Sequence, residues 1–281
     1  MPSRVGSPRS PFEATHPLVF AHRGGAKLAP ENTLVAFERG LSHGADGLEL
    51  DVHLARDGVP VVIHDATLDR TTSAQGPVAS RTAAELAAVD AGAHFGSDHG
   101  YPFRERGHGV PTLEAVLERC AGTRVIIEMK YGTAALARAV VAVVRRMGAE
   151  RHVCLGSFQQ EALDAARALA PEMATSASEP EARWTLHRSW LRWPFVSERS
   201  YVAFQVPERA GRLRVVSPAF VRQAHREGQV VQVWVVDGEA DARRLLAWGV
   251  DGLISDRPDL TVPARNHWLS RPSPENPEPR T

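Results

Sequence analysis

Between Leu18 and Leu260 short apolar runs alternate with stretches of helical spacing, and this alternation constrains the fold more than any other feature of the chain. Parallel strands need a crossover long enough to bring the chain back to the same end of the sheet, and a helix is the usual crossover. The runs at 18–21, 47–52, 60–63, 124–128, 152–155, 173–175, 201–205, 230–236 and 252–254 read as strands. The patterns at 33–43, 112–119, 133–147, 160–169, 218–227 and 239–248 read as helices, several of them ended by a glycine such as Gly148, Gly228 or Gly249. Nine strands are one too many for a closed eight-stranded barrel. Arg56-Asp57-Gly58 accounts for the surplus, because so short a turn joins antiparallel strands only and leaves one arm of its hairpin outside the alternation. The expected fold is an α/β (β/α)8 barrel with an insertion after the third strand-like segment. Residues 67–111 are too long for an ordinary loop; they are expected to lie over one end of the barrel, with short helical pieces near 82–89.

A chain of 281 residues, 43% of them hydrophobic, suffices for one large core, and barrels of this kind occupy such a length as one domain. Residues 17–265 are expected to form it, between a flexible arm at 1–16 and a disordered tail at 266–281 rich in proline and charge. Because 33 basic residues balance 33 acidic ones, no global field draws a polyanion, and a nucleic-acid partner is not suggested. Cys120 and Cys154 sit in apolar settings without CxxC spacing and read as small buried hydrophobes rather than a zinc or redox site. No apolar signal region precedes Leu18 and no run reaches the length of a membrane span, so a cytoplasmic protein without a transmembrane segment is expected.

Four segments closing predicted strands carry the chemistry: His22-Arg23-Gly24-Gly25, Glu49-Leu50-Asp51, His64-Asp65 and Glu128-Met129-Lys130. In a (β/α)8 barrel the C-terminal strand ends share one mouth, so these polar residues are expected to converge. Glu49 and Asp51, two apart on a strand, face the same way, and Glu128 arrives from another strand; the three form a candidate site for one hard divalent ion, Mg2+ or Ca2+. Any one of them alone would read as a helix cap or an arginine partner. Three beside two histidines, His22 and His64, with the cations Arg23 and Lys130, are the inventory that metal-assisted cleavage of a phosphodiester needs. The other histidines, His53 among them, read as ordinary polar residues, and Pro30-Glu31-Asn32-Thr33 as a turn with Asn32 or Thr33 capping a helix and Glu31 available to back a site residue.

The ordered set of motifs resembles the glycerophosphodiester phosphodiesterase family. It comprises the four segments above, Pro30-Glu31-Asn32-Thr33, Asp57-Gly58, Leu68-Asp69-Arg70-Thr71-Thr72, Ser157-Phe158, Val233-Trp234-Val235-Val236-Asp237 and the run from Gly249 to Pro258. The resemblance spans about Leu18 to Leu260. It implies a TIM (β/α)8 barrel that hydrolyses a small-molecule glycerophosphodiester to sn-glycerol 3-phosphate and an alcohol with a divalent metal. His22 and His64 match the family's general acid and base, Glu49, Asp51 and Glu128 its metal ligands, and Arg23 and Lys130 its positions near the phosphate. Trp234, and with it Phe158, would stack against the glycerol on this resemblance, with packing in the barrel core as the alternative. Ser255 stands where threonine is frequent, and Val235 and Asp237 replace the commoner threonine and asparagine; none of these removes a reacting group. Attack on phosphorus by the glycerol 2-hydroxyl, with later opening of a cyclic phosphate, and direct attack by water both remain open, as does which histidine is acid and which base.

The segment 184–195 holds Trp184, Trp190 and Trp193 among His187, Arg188 and Arg192, which suits either a surface helix in peripheral contact with lipid or an outer barrel helix burying its tryptophans. The first version would admit lysophospholipids, a lysophospholipase D-like alternative. From a different class, a non-catalytic barrel binding a phosphorylated ligand also fits the fold, though such a protein is expected to have lost a carboxylate or a histidine of the set. The sequence leaves oligomeric state open.

Overall fold

The computed structural model describes residue 12 and residues 14–191 and 200–270. The elements run β1 (Leu18–His22), α1 (Leu34–Ser42), β2 (Gly47–Leu54), β3 (Pro60–Val62), α2 (Ala83–Ala87), α3 (Leu113–Arg119), β4 (Arg124–Met129), α4 (Ala134–Arg146), β5 (Val153–Gly156) and α5 (Gln160–Leu169). They continue with β6 (Ala174–Thr175), α6 (Glu179–Leu191), β7 (Ala203–Pro207), β8 (Arg209–Ala210), β9 (Leu213–Arg214), α7 (Pro218–Arg226), β10 (Val230–Trp234), α8 (Glu239–Ala247), β11 (Gly252–Ser255) and α9 (Pro258–Leu269). Helix starts follow from local chemistry. Thr33, Thr112, Thr133 and Ser217 accept a backbone N–H at the heads of α1, α3, α4 and α7, and Pro218 and Pro258 occupy first-turn positions where their missing N–H costs nothing.

Eight parallel strands pair in the order β6-β5-β4-β2-β1-β11-β10-β7, and a parallel bridge between Ser176 and Ala203 brings β6 back to β7, so the sheet curls into the expected TIM barrel. The strand outside the alternation is β3, antiparallel to β2 through the Arg56-Asp57-Gly58 turn. Its direction corrects one expectation. β2 overshoots the mouth and β3 folds back, with Ile63 N–H donating to the Asp51 carbonyl at 3.0 Å, so His64 reaches the site from above rather than on a parallel strand end.

Strand periodicity sorts the side chains between two layers. Leu48, Leu50, Val52, Val125, Ile127 and Met129 face outward into the core beneath α3, α4 and α5, while Leu18, Phe20, Ile126, Cys154, Ala174, Ala203 and Ile254 fill the barrel interior. Phe12 is buried in that interior cluster, edge-on to Phe20 at 5.7 Å between ring centroids, so the N-terminal arm is anchored at this point rather than free throughout 1–16. At the other end α9 runs to Leu269, past the expected boundary at 265; residues 271–281, the remainder of the expected tail, lie outside the described residues. The insertion packs a small core of its own, Leu68, Val78, Leu86 and Val110 against Ala55, Val61 and Ile63 of the β2–β3 arm. The anticipated helix at 184–195 begins earlier, at Glu179, with Leu186 and Arg188 buried and Trp184 exposed; residues 192–199 lie outside the described residues. Among the described residues no helix is long and apolar enough to cross a membrane.

Candidate active site

Toward the mouth the inward side of β1, β2, β4 and β11 turns polar. On β1 the sequence passes from Leu18 and Phe20 to His22, and on β4 from Ile126 to Glu128. β2 carries Glu49 and Asp51 on the same face. Register makes them neighbours: His22 lies beside Glu49 on the adjacent strand, and Asp51 beside Glu128. One oxygen from each of Glu49, Asp51 and Glu128 falls within 4.8 Å of the others, so the predicted triad is assembled in space.

These carboxylates are out of water, and buried charge must be compensated. Asp51 is the best served: its Oδ1 lies 2.9 Å from Lys130 Nζ, and its Oδ2 lies 3.1 Å from Arg23 Nε and accepts from Asn32 Nδ2 at 2.8 Å. Burial alone would raise its pKa, but Lys130 and Arg23 reverse that and hold it below the ordinary aspartate value. Glu128 has Lys130 at 2.9 Å. Glu49 has less; its nearest cationic partner is the His22 ring at 3.8 Å, and burial together with the adjacent Asp51 charge pushes it up to about 8. Burial, then the Asp51 charge, likewise raise Glu128. A cluster of three carboxylates short of positive charge, with oxygen donors only, suits one hard divalent cation.

Both histidines are held by a carboxylate at Nδ1: His22 donates to Asp256 Oδ1 and His64 to Asp65 Oδ1, each at 2.6 Å. An ionised carboxylate only accepts, so the proton sits on Nδ1 and Nε2 is left for the cavity that both rings line. Burial opposes protonation of His22, yet the Glu49 charge and the Asp256 hydrogen bond outweigh it and set its pKa above the usual 6.5. Behind His64, Asp65 is lowered to about 2, first by its hydrogen bond from Arg70. Arg70 also grips Glu31 with two bonds of 2.7 and 2.8 Å, and Glu31 accepts from Arg23 at 2.9 Å. Glu31 thus joins the two cationic arms of the site.

Local backbone shape supports this network. Arg23 and Asn32 have left-handed φ values of 51° and 59°, uncommon for residues with a Cβ, and both are pinned: Arg23 N–H donates to the Glu49 carbonyl at 2.8 Å, and Asn32 N–H to the Arg23 carbonyl at 2.9 Å. Gly24 is required for the same turn, since a Cβ there would stand 2.6 Å from the Ala36 backbone. Of the two candidate caps in this turn Thr33 is the one used; Asn32 turns inward to Asp51 instead.

Every predicted site residue except Asp51 lines one cavity of about 720 Å3, and Asp51 lies beneath its floor holding Arg23 and Lys130. Trp234 and Phe158 meet edge-on across it at 6.1 Å. Three contributors escaped the sequence reading. Asp256 orients His22 from 234 positions away; Asp237 accepts from Asp256 N–H at 2.8 Å and from Ser255 Oγ at 3.1 Å; and His53 bonds the His64 carbonyl at 2.9 Å. The departures at Ser255 and Asp237 therefore form a local pair that fixes Asp256.

Known proteins resemble this chain over most of its length. A model of the glycerophosphoryl diester phosphodiesterase family matches residues 22–260. The chain belongs to this family. It is 32% identical over 250 residues to the glycerophosphodiester phosphodiesterase of Caldanaerobacter subterraneus subsp. tengcongensis, covering 87% of this chain and 96% of that one. Among solved structures, a glycerophosphodiester phosphodiesterase from Agrobacterium tumefaciens superposes with a TM-score of 0.72 at 32% identity, over 89% of this chain and 99% of the other. A phosphodiesterase from Oleispira antarctica, solved with the product sn-glycerol-3-phosphate, superposes with a TM-score of 0.71 at 27% identity, over 89% and 97% of the two chains. With the family comes the class of activity: the protein is a glycerophosphodiester phosphodiesterase.

Proposed function

We propose that the cavity hydrolyses glycerophosphodiesters to sn-glycerol 3-phosphate and an alcohol in a metal-dependent reaction, with His22 and His64 moving the protons. The observation that carries this reading is the pair of imidazoles, each locked at Nδ1 by its own carboxylate and lining one cavity with the acidic triad. Glu49, Asp51 and Glu128 would hold one divalent ion, Mg2+ or Ca2+. When bound, such an ion supplies Lewis-acid polarisation of a phosphate oxygen and counter-charge for the carboxylates.

The chain's own residues do the rest. One imidazole takes the proton of the attacking oxygen on its free Nε2, and the other delivers a proton to the departing alcohol oxygen. Asp256 and Asp65 keep the rings in the tautomer and orientation that this exchange needs, and each stabilises its ring while it is charged. Arg23 and Lys130, fixed by Asp51, Glu31 and Glu128, present positive charge to the phosphate, worth on the order of 2–4 kcal/mol each in the transition state where well aimed. Phe158 and Trp234 shape the side where the glycerol would lie. Both cysteines are free and buried, which suits the cytoplasmic setting included in the proposal.

The test is release of glycerol 3-phosphate from glycerophosphocholine by chelator-treated protein, with Mg2+ or Ca2+ restored, beside His22→Ala and Glu49→Ala. Turnover that returns with the ion and is lost in both variants is the expected result. Turnover indifferent to the chelator or to either variant overturns the mechanism.

A further inference from the structure

Three serines line the mouth cavity, and two of them are already engaged. Ser157 donates to the Met129 carbonyl at 2.9 Å and accepts from Gln159 N–H at 3.2 Å, and Ser178 is bonded to Gln160 and Glu181. Ser176, just past β6, is different. It is 2% exposed, yet among the described residues its hydroxyl has no hydrogen-bond partner. Gln205 of β7 is engaged at one atom only: its Nε2 donates to Gln232 Oε1 at 3.1 Å, while its Oε1 accepts nothing from the described residues. The two unengaged oxygens converge on Gly156. A Cβ built there would stand 3.1 Å from Gln205 Oε1 and 3.3 Å from Ser176 Oγ, so the missing side chain leaves a space that both oxygens border. Register sets this space beside the reacting groups, because Gly156 on β5 is the strand neighbour of Glu128 on β4. Gly156, Ser176 and Gln205 all line the cavity that His22 and His64 share.

We propose that Gly156, Ser176 and Gln205 form a subsite for a neutral hydroxyl of the substrate, one that takes no part in the reaction. The inference rests on the reading of the neighbouring charged groups as the hydrolytic centre, and it adds specificity-determining residues to that centre. The chemistry of the lining selects the ligand. A serine hydroxyl donates and accepts, an amide oxygen accepts, and no ionised side chain belongs to the set. An apolar group seated there would leave two polar atoms unpaired and out of water. A quaternary ammonium such as choline has no proton to donate, and an anion would face the Gln205 oxygen. A hydroxyl answers both groups at once: it donates to Gln205 Oε1 and accepts from Ser176 Oγ. The glycerol offers such a hydroxyl at its terminal carbon, and a leaving alcohol that is itself a diol or polyol offers another.

The experiment decides which end of the substrate is held. kcat/KM is measured for two pairs of substrates, each pair differing by one hydroxyl. Glycerophosphocholine is set against its analogue with propane-1,2-diol in place of glycerol, which lacks only the terminal hydroxyl, by release of choline. The glycerophosphodiester of 1,3-propanediol is set against that of 1-propanol, by release of glycerol 3-phosphate. A site built to hydrogen-bond a hydroxyl rejects the analogue without it, so a preference of about tenfold or more is expected in the first pair if the glycerol is held, and in the second if the leaving alcohol is. Ser176→Ala removes a hydroxyl that has no partner in the fold, and Gly156→Ala fills the space between the two oxygens; each is expected to reduce that preference about threefold or more. Hydrolysis of glycerophosphocholine with a smaller preference in both pairs overturns the proposal and leaves the hydrolytic reading intact. A preference that survives either variant overturns the assignment to these residues. Hydrolysis of none of the four substrates removes the hydrolytic reading, and the proposal with it.

Discussion

On the cavity wall built by β1, β2 and β4, ionised groups are tied to one another: Asp51 is held by Arg23, Lys130 and Asn32, Glu31 by Arg23 and Arg70, and each histidine by its own aspartate. On the opposite wall, built by α6, β7, the β8–β9 hairpin and β10, contacts are apolar and edge-on aromatic, as between Phe158 and Trp234. The difference follows from what each wall contains. Buried charges are tolerable only with fixed partners, so a wall that carries proton donors and cation ligands must be over-determined. Apolar contacts are non-directional and tolerate substitution and re-packing, so a wall made of them decides what fits rather than what reacts. Substitutions on the first wall should therefore lower kcat, and those on the second should change KM and substrate preference.

The largest effect that tests this division is expected from His22→Gln and His64→Gln. Each removes a proton carrier while keeping a polar side chain, and kcat on glycerophosphocholine should fall on the order of 10^2–10^4-fold in either variant. Steady-state kinetics at saturating metal measures it, and a loss under tenfold in one of them removes that histidine from the proton-transfer step. Next comes Asp256→Asn. The amide keeps the shape of the hydrogen bond at His22 Nδ1 but loses the charge that favours the protonated ring, and a loss of roughly 10–100-fold in kcat with little change in KM is expected of such an orienting carboxylate. A change confined to KM would put Asp256 on the selecting side of the comparison instead.

Asp256 also shows where sequence reasoning stops. The barrel, its strand order of chemistry and the triad were legible because they depend on local facts: period two places Glu49 and Asp51 on one face, and strand-end polarity marks the mouth. The hairpin surplus was legible from turn length. Asp256 was not, because a lone acid two residues past a strand reads as a helix cap or an arginine partner, and barrel closure alone does not say that its carboxylate meets the ring of a residue 234 positions away. One helix was missed and the start of another misplaced, both for local reasons. α9 contains Pro263, which lacks an N–H and normally argues against a helix, and α6 begins five residues before the tryptophan-rich stretch that drew attention. His64 does line the cavity, but it arrives behind a strand that runs against the barrel direction rather than at a parallel strand end.

A smaller effect is expected on the selecting wall. Phe158→Ala removes a half-exposed ring that touches Trp234 edge-on, an interaction worth about 0.5–1 kcal/mol, so KM for glycerophosphocholine should rise two- to fivefold with kcat kept. A drop in kcat of more than tenfold would mean that the apolar wall also positions the reacting atoms, and the division between walls would fail at that point.

The smallest effect is a control for the whole comparison, because it concerns charge away from both walls. His225 on α7 donates from Nε2 to Asp251 Oδ2 at 2.8 Å, next to the start of β11, and that hydrogen bond raises its pKa above 6.5. The protonated ring is favoured in the folded protein, so its contribution is complete below pH 6.5 and is lost as pH rises through the higher folded value. His225→Gln removes this dependence while Asp251 keeps its bond from Val231 N–H at 2.7 Å. The pair is solvent-exposed, so the difference in Tm between wild type and variant should shrink by only about 1 °C from pH 5.5 to 8.5. Differential scanning calorimetry at the two pH values reads the shift, and kcat on glycerophosphocholine, measured alongside, should not follow it. If kcat moved with His225, charge at the base of the barrel would be reaching the imidazoles at its mouth, and the self-contained network assigned to the reacting wall would have to be extended through the length of β11.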